Sequence, residues 1–320
     1  MDEPVVPIVD DFVGQAYTSY QTAPSPLAFQ HDLLVQLAGE ELWFWDSKTM
    51  TRNDAIAFAY RHFCFLDGAT LVAYAQPPDV HHCQLHRIDA HRNRDVLIGP
   101  IVPRSGITHL LPAGSPSEVY VTQEYEVIRY RMTKHAIEEI TRIEFPNGVE
   151  DELLSLGDGR LLYPDHDELH VIEPGKPTKT YATPGHDPIH LAAASEGRVW
   201  YTHLTAKWDA QLVLARLAAS TVPERSVAFR GRVIHLASGG GAAAVLVFSV
   251  HGMNDLRWTV VVVDESGTER WRAAVPADFA RPFPSLNNVG FVAISEHRVV
   301  LRGNNHALIA WDATTGSRIN

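Results

Sequence analysis

The stretch "ALIAWDATTG", residues 307–316, decides the fold: an apolar run, a Trp-Asp pair and a Thr-Thr-Gly turn, with four residues to follow. A strand laid down so late has no successor to pair with, so it must find its cover elsewhere in the chain. Aligning the sequence on Trp311-Asp312 finds six earlier copies: "LWFWDSKT" at Asp46, "QLHRIDAHR" at Asp89, "VIRYRMTK" at Arg131, "LHVIEPGK" at Glu173, "LVLARLAAS" at Leu217 and "VVVVDESGT" at Asp264. Successive intervals are 43, 42, 42, 44, 47 and 48 residues. That is the period of a propeller blade.

The clearest unit is "DELLSLGDGRLLYPDHDELHVIEPGKPTKTYAT", residues 151–183: strand, Gly-Asp-Gly turn, strand, polar turn, strand, Pro-Gly-Lys-Pro turn, strand. The next unit opens as "HLAAASEGRVWYT" and the last as "GFVAISEHRVVLR". One stretch, "MTKHAIEEITRIEF" at 132–145, also has helix-like apolar spacing, but its place in the repeat favours strand. Seven units use the whole chain. The expected fold class is therefore all-β: residues 1–320 as a single seven-bladed β-propeller of four-stranded antiparallel blades. Counting back from Asp46 puts the first inner strand near residues 24–30 and leaves residues 1–20 over. Part of "VVPIVDDFVGQAYTSY", residues 5–20, is expected to close the ring as the outer strand of the seventh blade, which otherwise ends after its third strand with "SRIN".

Composition sets the limits on function. With 45% hydrophobic and 20% charged residues the chain is an ordinary globular one. Runs such as "AAAVLVFSV" and "WTVVVVD" are far short of the roughly 20 residues of a membrane span, and the acidic start "MDEPVV" does not read as a signal peptide. The expectation is a soluble, cytoplasmic protein. Cys64 and Cys83 fall on non-adjacent strands of one sheet and read as buried thiols. A net charge of -11 argues against nucleic acid or an anionic membrane as the main partner.

The Trp-Asp endings of the first and last units, with "PGHDPIHL" ahead of the fifth, resemble degenerate WD40 repeats, and "DATTG" is equally similar to repeats of quinoprotein-like propellers. The pair survives in two of seven units. The resemblance implies a propeller used as a scaffold for protein interaction, on fold-level analogy.

The inner strand of each blade lines the central channel, so a residue recurring there makes a ring. Anchoring on the first turn of each unit selects Arg61, Glu152, His190 and Gly290, with His62 facing away, and in the units with looser turns the pattern alone places His109 and His235 there. Imidazole and carboxylate are ligands for zinc and similar ions, but ligands must converge within about 2 Å of a metal, and channel side chains from separate blades stand farther apart. Hydrogen-bonded structural histidines are the competing reading. "DVHHCQLHRIDAH" is broken up as a metal cluster by strand alternation, which leaves His82 and His86 roughly 13 Å apart. "YPDHDELH" reads as a hairpin turn, and "ASGGGAAA" at 237–244 as a turn between the first two strands of the sixth blade. Trp208, in the turn "LTAKWDAQ", is a candidate partner-binding anchor.

No nucleophile elbow, phosphate loop or dinucleotide fingerprint occurs. The function expected is a non-catalytic interaction scaffold or complex subunit, with another protein as partner and no cofactor or metal. The alternative is a propeller enzyme or small-molecule binder using the channel mouth, since "EGRVWYTHLTA" faintly resembles streptogramin-lyase-like blades, which rely on a histidine and a metal.

Overall fold

A computed structural model gives seven four-stranded antiparallel sheets, each built from consecutive strands. It describes residues 27–78, 82–103, 106–133, 136–145, 148–149, 153–183, 188–194, 197–205, 209–217, 221–250, 256–276, 279, 291–303 and 306–319. Blade 1 is β1 (Leu27–Gln30), β2 (Leu33–Ala38), β3 (Glu41–Asp46) and β4 (Thr51–Ala57); blade 2 is β5 (Tyr60–Asp67), β6 (Thr70–Ala75), β7 (Cys83–Asp89) and β8 (Arg94–Ile101). Blade 3 is β9 (Ile107–Pro112), β10 (Glu118–Gln123), β11 (Glu126–Met132) and β12 (Ile137–Glu144); blade 4 is β13 (Leu154–Ser155), β14 (Leu161–Asp165), β15 (Glu168–Ile172) and β16 (Lys179–Ala182). Blade 5 is β17 (Pro188–Ala193), β18 (Arg198–Leu204), β19 (Asp209–Leu217) and β20 (Thr221–Arg230); blade 6 is β21 (Arg232–Gly239), β22 (Ala242–Val250), β23 (Leu256–Asp264) and β24 (Glu269–Ala274). Blade 7 is β25 (Phe291–Ile294), β26 (Arg298–Arg302), β27 (Leu308–Asp312) and β28 (Arg318–Ile319). Within the ambiguous stretch 132–145, Ile137–Glu144 is strand, and no helix of the described residues is long and apolar enough to cross a membrane.

The blades stand face to face, so both faces of a middle strand are buried. That is why these strands read as unbroken apolar runs. In β22, Val245 packs toward blade 5 while Leu246 packs toward blade 7. The buried apolar residues fall into seven clusters, one at each seam, including the seam between blades 7 and 1. The ring is therefore closed by packing. Cys64 and Cys83 are buried free thiols in the seam of blades 2 and 3.

The repeated Asp at the end of the third strand is a turn cap. Asp46 Oδ1 accepts the amides of Lys48 (2.9 Å) and Thr49 (2.8 Å). Asp312 Oδ1 accepts those of Thr314 (3.0 Å) and Thr315 (2.9 Å), Asp89 those of His91 and Arg92, and Asp264, in a wider turn, those of Ser266 and Thr268. The "GGG" run in blade 6 is demanded by its neighbour, since a Cβ at Gly240 (φ +57°) would lie 2.7 Å from Glu296 Cα.

The expectation that blade 7 ends after its third strand is corrected: Arg318 and Ile319 pair with Trp311 and Ala310 as a short fourth strand. Residues 5–20, expected there, lie outside the described residues. "ALIAWD" is covered instead on its flat sides. Ala310 packs with Leu27 and Leu34 of blade 1, and Ile309 and Trp311 with blade 6. Polar ties reinforce the small cluster joining blades 7 and 1. Arg298 donates to the carbonyls of Ser47 (3.1 Å) and Lys48 (2.9 Å), and Gln36 Nε2 donates to the His306 carbonyl at 2.8 Å.

Candidate functional site

The inner strands carry one recurrent irregularity. In β5, β9, β17 and β21 a bulge skips Arg61, Thr108, Ile189 and Ile234 respectively. The residue after each is a histidine, and it pairs with the fifth residue of the blade's second strand: His62 with Tyr74, His109 with Thr122, His190 with Thr202 and His235 with Leu246. Four histidines thus stand at one level of the ring. Phe291 completes the level in blade 7, opposite Arg302.

Three of these were expected from the sequence; the fourth corrects it. Arg61 is the extra residue of its bulge, and its side chain is exposed in an ion pair with Glu40 at 2.7 Å. His62 takes the ring position instead. Gly68 stands three residues after Phe65, which pairs with Leu71, whereas Gly197 stands four after Ala193, which pairs with Val199, so counting back from the turn glycine lands one place off in blade 2. Aligning the units on their histidines would have found it. Glu152, Gly290 and Trp208 lie outside the described residues.

The same hydrogen bond recurs along this ring. His62 donates to the carbonyl of Ile107 in blade 3, through Nε2, because its buried Nδ1 has no partner. His190 Nε2 donates to the Val233 carbonyl in blade 6 at 3.2 Å. Ile107 and Val233 each stand two residues before the next blade's histidine, at the bulge. His235 continues the series, accepting the Val292 amide on Nδ1 at 3.4 Å, with its ring edge-on to Phe291. These imidazoles are staples between neighbouring inner strands.

Burial, and then the neighbouring His190, push His235 down to about 3. Burial, and then His109, push His62 down to about 4. Both are neutral at physiological pH. Among the described residues no three His, Cys, Asp or Glu side chains come close enough to hold a metal ion. His62 and His235 therefore act as neutral hydrogen-bonding groups.

Two other features lie away from the axis. A cavity of about 430 Å³ opens between the turns of blades 1 and 2, walled by Trp45 and Phe44 with Asp32, Asp46 and Asp54 around them. Lys48 reaches Asp32 at 2.7 Å. At the rim of the ring, the outer strands of blades 2 and 3 expose Val96 (40%), Leu97 (52%) and Ile140 (37%).

The fold is shared with solved structures. Hsv2 of Kluyveromyces lactis superposes with a TM-score of 0.63 at 11% identity, over 90% of this chain and 94% of that one. A chain of the mitotic checkpoint complex gives 0.62 at 12% identity, over 92% and 90%. Sqt1 of Saccharomyces cerevisiae gives 0.52 at 10% identity, over 94% and 85%. At such identities the likeness is one of fold. No family model and no curated protein matches the chain.

Proposed function

We propose that the chain is a non-catalytic interaction propeller, a subunit that docks another protein on its rim. The observation that carries this reading is the contrast among the outer strands. In blades 1, 5 and 6 the bulged rim residue is polar: Asn53, Glu224 and Arg270. In blade 3 it is Ile140, and in blade 2 the residues beside the bulge are the exposed Val96 and Leu97. The two apolar strands adjoin, since a Cβ on Gly99 of β8 would meet Ile137 of β12 at 3.4 Å. Exposed apolar side chains grouped on one part of a polar surface mark a site of association.

The similar chain in the mitotic checkpoint complex belongs, by that structure's name, to an assembly, which fits a docking role. The buried free thiols of Cys64 and Cys83 fit a reducing, cytoplasmic setting. The channel alternative draws no support from histidines whose bonds go to neighbouring strands.

The test is co-purification from the native host with wild-type chain and with the double variant Leu97→Glu, Ile140→Glu. A stoichiometric partner held by the wild type and lost by the variant, with the melting temperature unchanged, is the expected result. Retention of the partner by the variant would remove the rim of blades 2 and 3 from the interface.

A further inference from the structure

The outer strands differ in charge as well as in polarity. In β12, Glu138, Glu139 and Glu144 stand against Arg142, a net charge of -2. β4 and β8 each hold one acidic and one basic residue, and β16, β20, β24 and β28 each hold one cation in excess. Among the described outer strands, β12 is therefore the one that is acidic, and it is also the one with an exposed isoleucine at its bulge.

These charges are not balanced within the fold. Glu144 stands directly opposite Glu126 in the register of β11 and β12, and like charges facing each other across strands are destabilising. Arg142 is the cation between them. It is paired with Glu126 and also reaches back to Glu139, with Nε at 3.1 Å and Nη2 at 2.8 Å. One guanidinium thus serves two carboxylates, and Glu144, exposed at the end of the strand, has no cation partner among the described residues. Glu138, 66% exposed, lies 4.0 Å from Arg131, which Glu118 holds more closely at 2.9 Å.

We propose that the partner docked on the rim of blades 2 and 3 lays a basic amphipathic helix along β12, with apolar side chains on Ile140 and Lys or Arg residues beside Glu138 and Glu144. This rests on the docking role proposed above and adds the chemistry of the partner. The bulge at Ile140 interrupts the edge that an added strand would pair with, which favours a segment that docks through its side chains. Eight residues of strand span about 26 Å, the length of a helix of about 18 residues. The two glutamates stand two residues before and four after Ile140, about 7 and 13 Å along the strand. The matching cations lie about one helical turn to one side of the apolar anchor and two turns to the other.

The experiment is fluorescence anisotropy with the full chain and three labelled peptides of about 18 residues sharing one helical pattern: leucine with lysine, leucine with glutamate, and glutamine with lysine. At physiological ionic strength the Leu/Lys peptide is expected to bind at least about tenfold tighter than either of the others. The double variant Glu138→Lys, Glu144→Lys weakens it about tenfold, as does Ile140→Ser. Asp54→Lys, Glu296→Lys, an equal change of net charge at exposed positions elsewhere, leaves it unchanged. Equal binding of the Leu/Glu peptide, no binding of the Leu/Lys peptide, or equal losses in the two charge-reversed variants overturns the proposal. Should the reversal fail to fold, Glu138→Gln, Glu144→Gln takes its place. Co-purification separates this from the docking role. A native partner lost by Leu97→Glu, Ile140→Glu but kept by Glu138→Lys, Glu144→Lys leaves the docking role standing and removes the basic helix, while a partner kept by both removes both.

Discussion

Mild acid should unfold this ring through its histidines before its carboxylates titrate. His62 and His235 have folded values near 4 and 3, against about 6.5 for an unfolded histidine. Between those limits the unfolded chain binds two protons that the folded chain refuses. Stability from these groups is therefore complete above pH 6.5 and falls as the pH drops toward the folded values. At pH 5 each group has lost about 2 kcal/mol, together about 4, a large part of the 5–15 kcal/mol typical of a whole protein. Asp46, Asp264 and Asp312, whose acidity is raised by the amides and hydroxyls they cap, lose stability in the same direction but only below the ordinary carboxylate range. The window from pH 7.5 to 5 thus isolates the histidines. The assay is urea unfolding across that window, with His62→Gln and His235→Gln each expected to remove one proton from the slope. A fall of less than about 1 kcal/mol, or a slope unchanged in the double variant, would show that these rings are hydrated and titrate normally.

Arg298→Ala removes the ties from blade 7 to the Ser47 and Lys48 carbonyls and should cost about 3 kcal/mol in urea unfolding, whereas Arg92→Ala, at an exposed turn, should cost under about 0.5. Equal effects would mean that the seam does not depend on the arginine. If residues 5–20 bury three apolar side chains such as Ile8, Phe12 and Val13, a gain on the order of 5 to 9 kcal/mol before ordering costs, then deleting residues 1–20 lowers the melting temperature and promotes aggregation through the edge of blade 7. A soluble deletion variant with an unchanged melting curve would show that β28 and the packed seam suffice.

What could be read from the sequence was whatever repeats for a backbone reason. The terminal Asp recurs because its carboxylate caps the same turn in blades 1, 2, 6 and 7, which fixed the period even where Trp had been replaced. The alternation of "LLSLGDGRLLYP" and the run "AAAVLVFSV" both followed from sheets stacked face to face. What escaped was set by single-residue events. The turn glycine of blade 2 stands one place earlier than that of blade 5, which exchanged Arg61 for His62. The strand "RI" at 318–319 is too short to show any alternation, so the seventh blade seemed one strand short. The apolar rim escaped for another reason: an exposed Leu97 and a buried leucine look alike until the neighbouring blade is in place.

The same geometry argues for where a partner can act. The inner ring uses its histidine donors and the carbonyls freed by its bulges to join blades 2 to 3 and 5 to 6, so a ligand entering there would have to break existing bonds before making its own. The outer strands bear no such duty. Five of them carry a bulge, at Asn53, Ile98, Ile140, Glu224 and Arg270, and a bulge twists an open edge away from casual pairing with another sheet. With backbone pairing discouraged on these five strands, side chains weigh more in what could dock there. Among these five the bulged residue is apolar at Ile98, which is buried in the seam of blades 2 and 3, and at Ile140, which is exposed. A partner that docks as proposed would meet the exposed side chains of Val96, Leu97 and Ile140 at the edge of blades 2 and 3, away from the stapled inner strands.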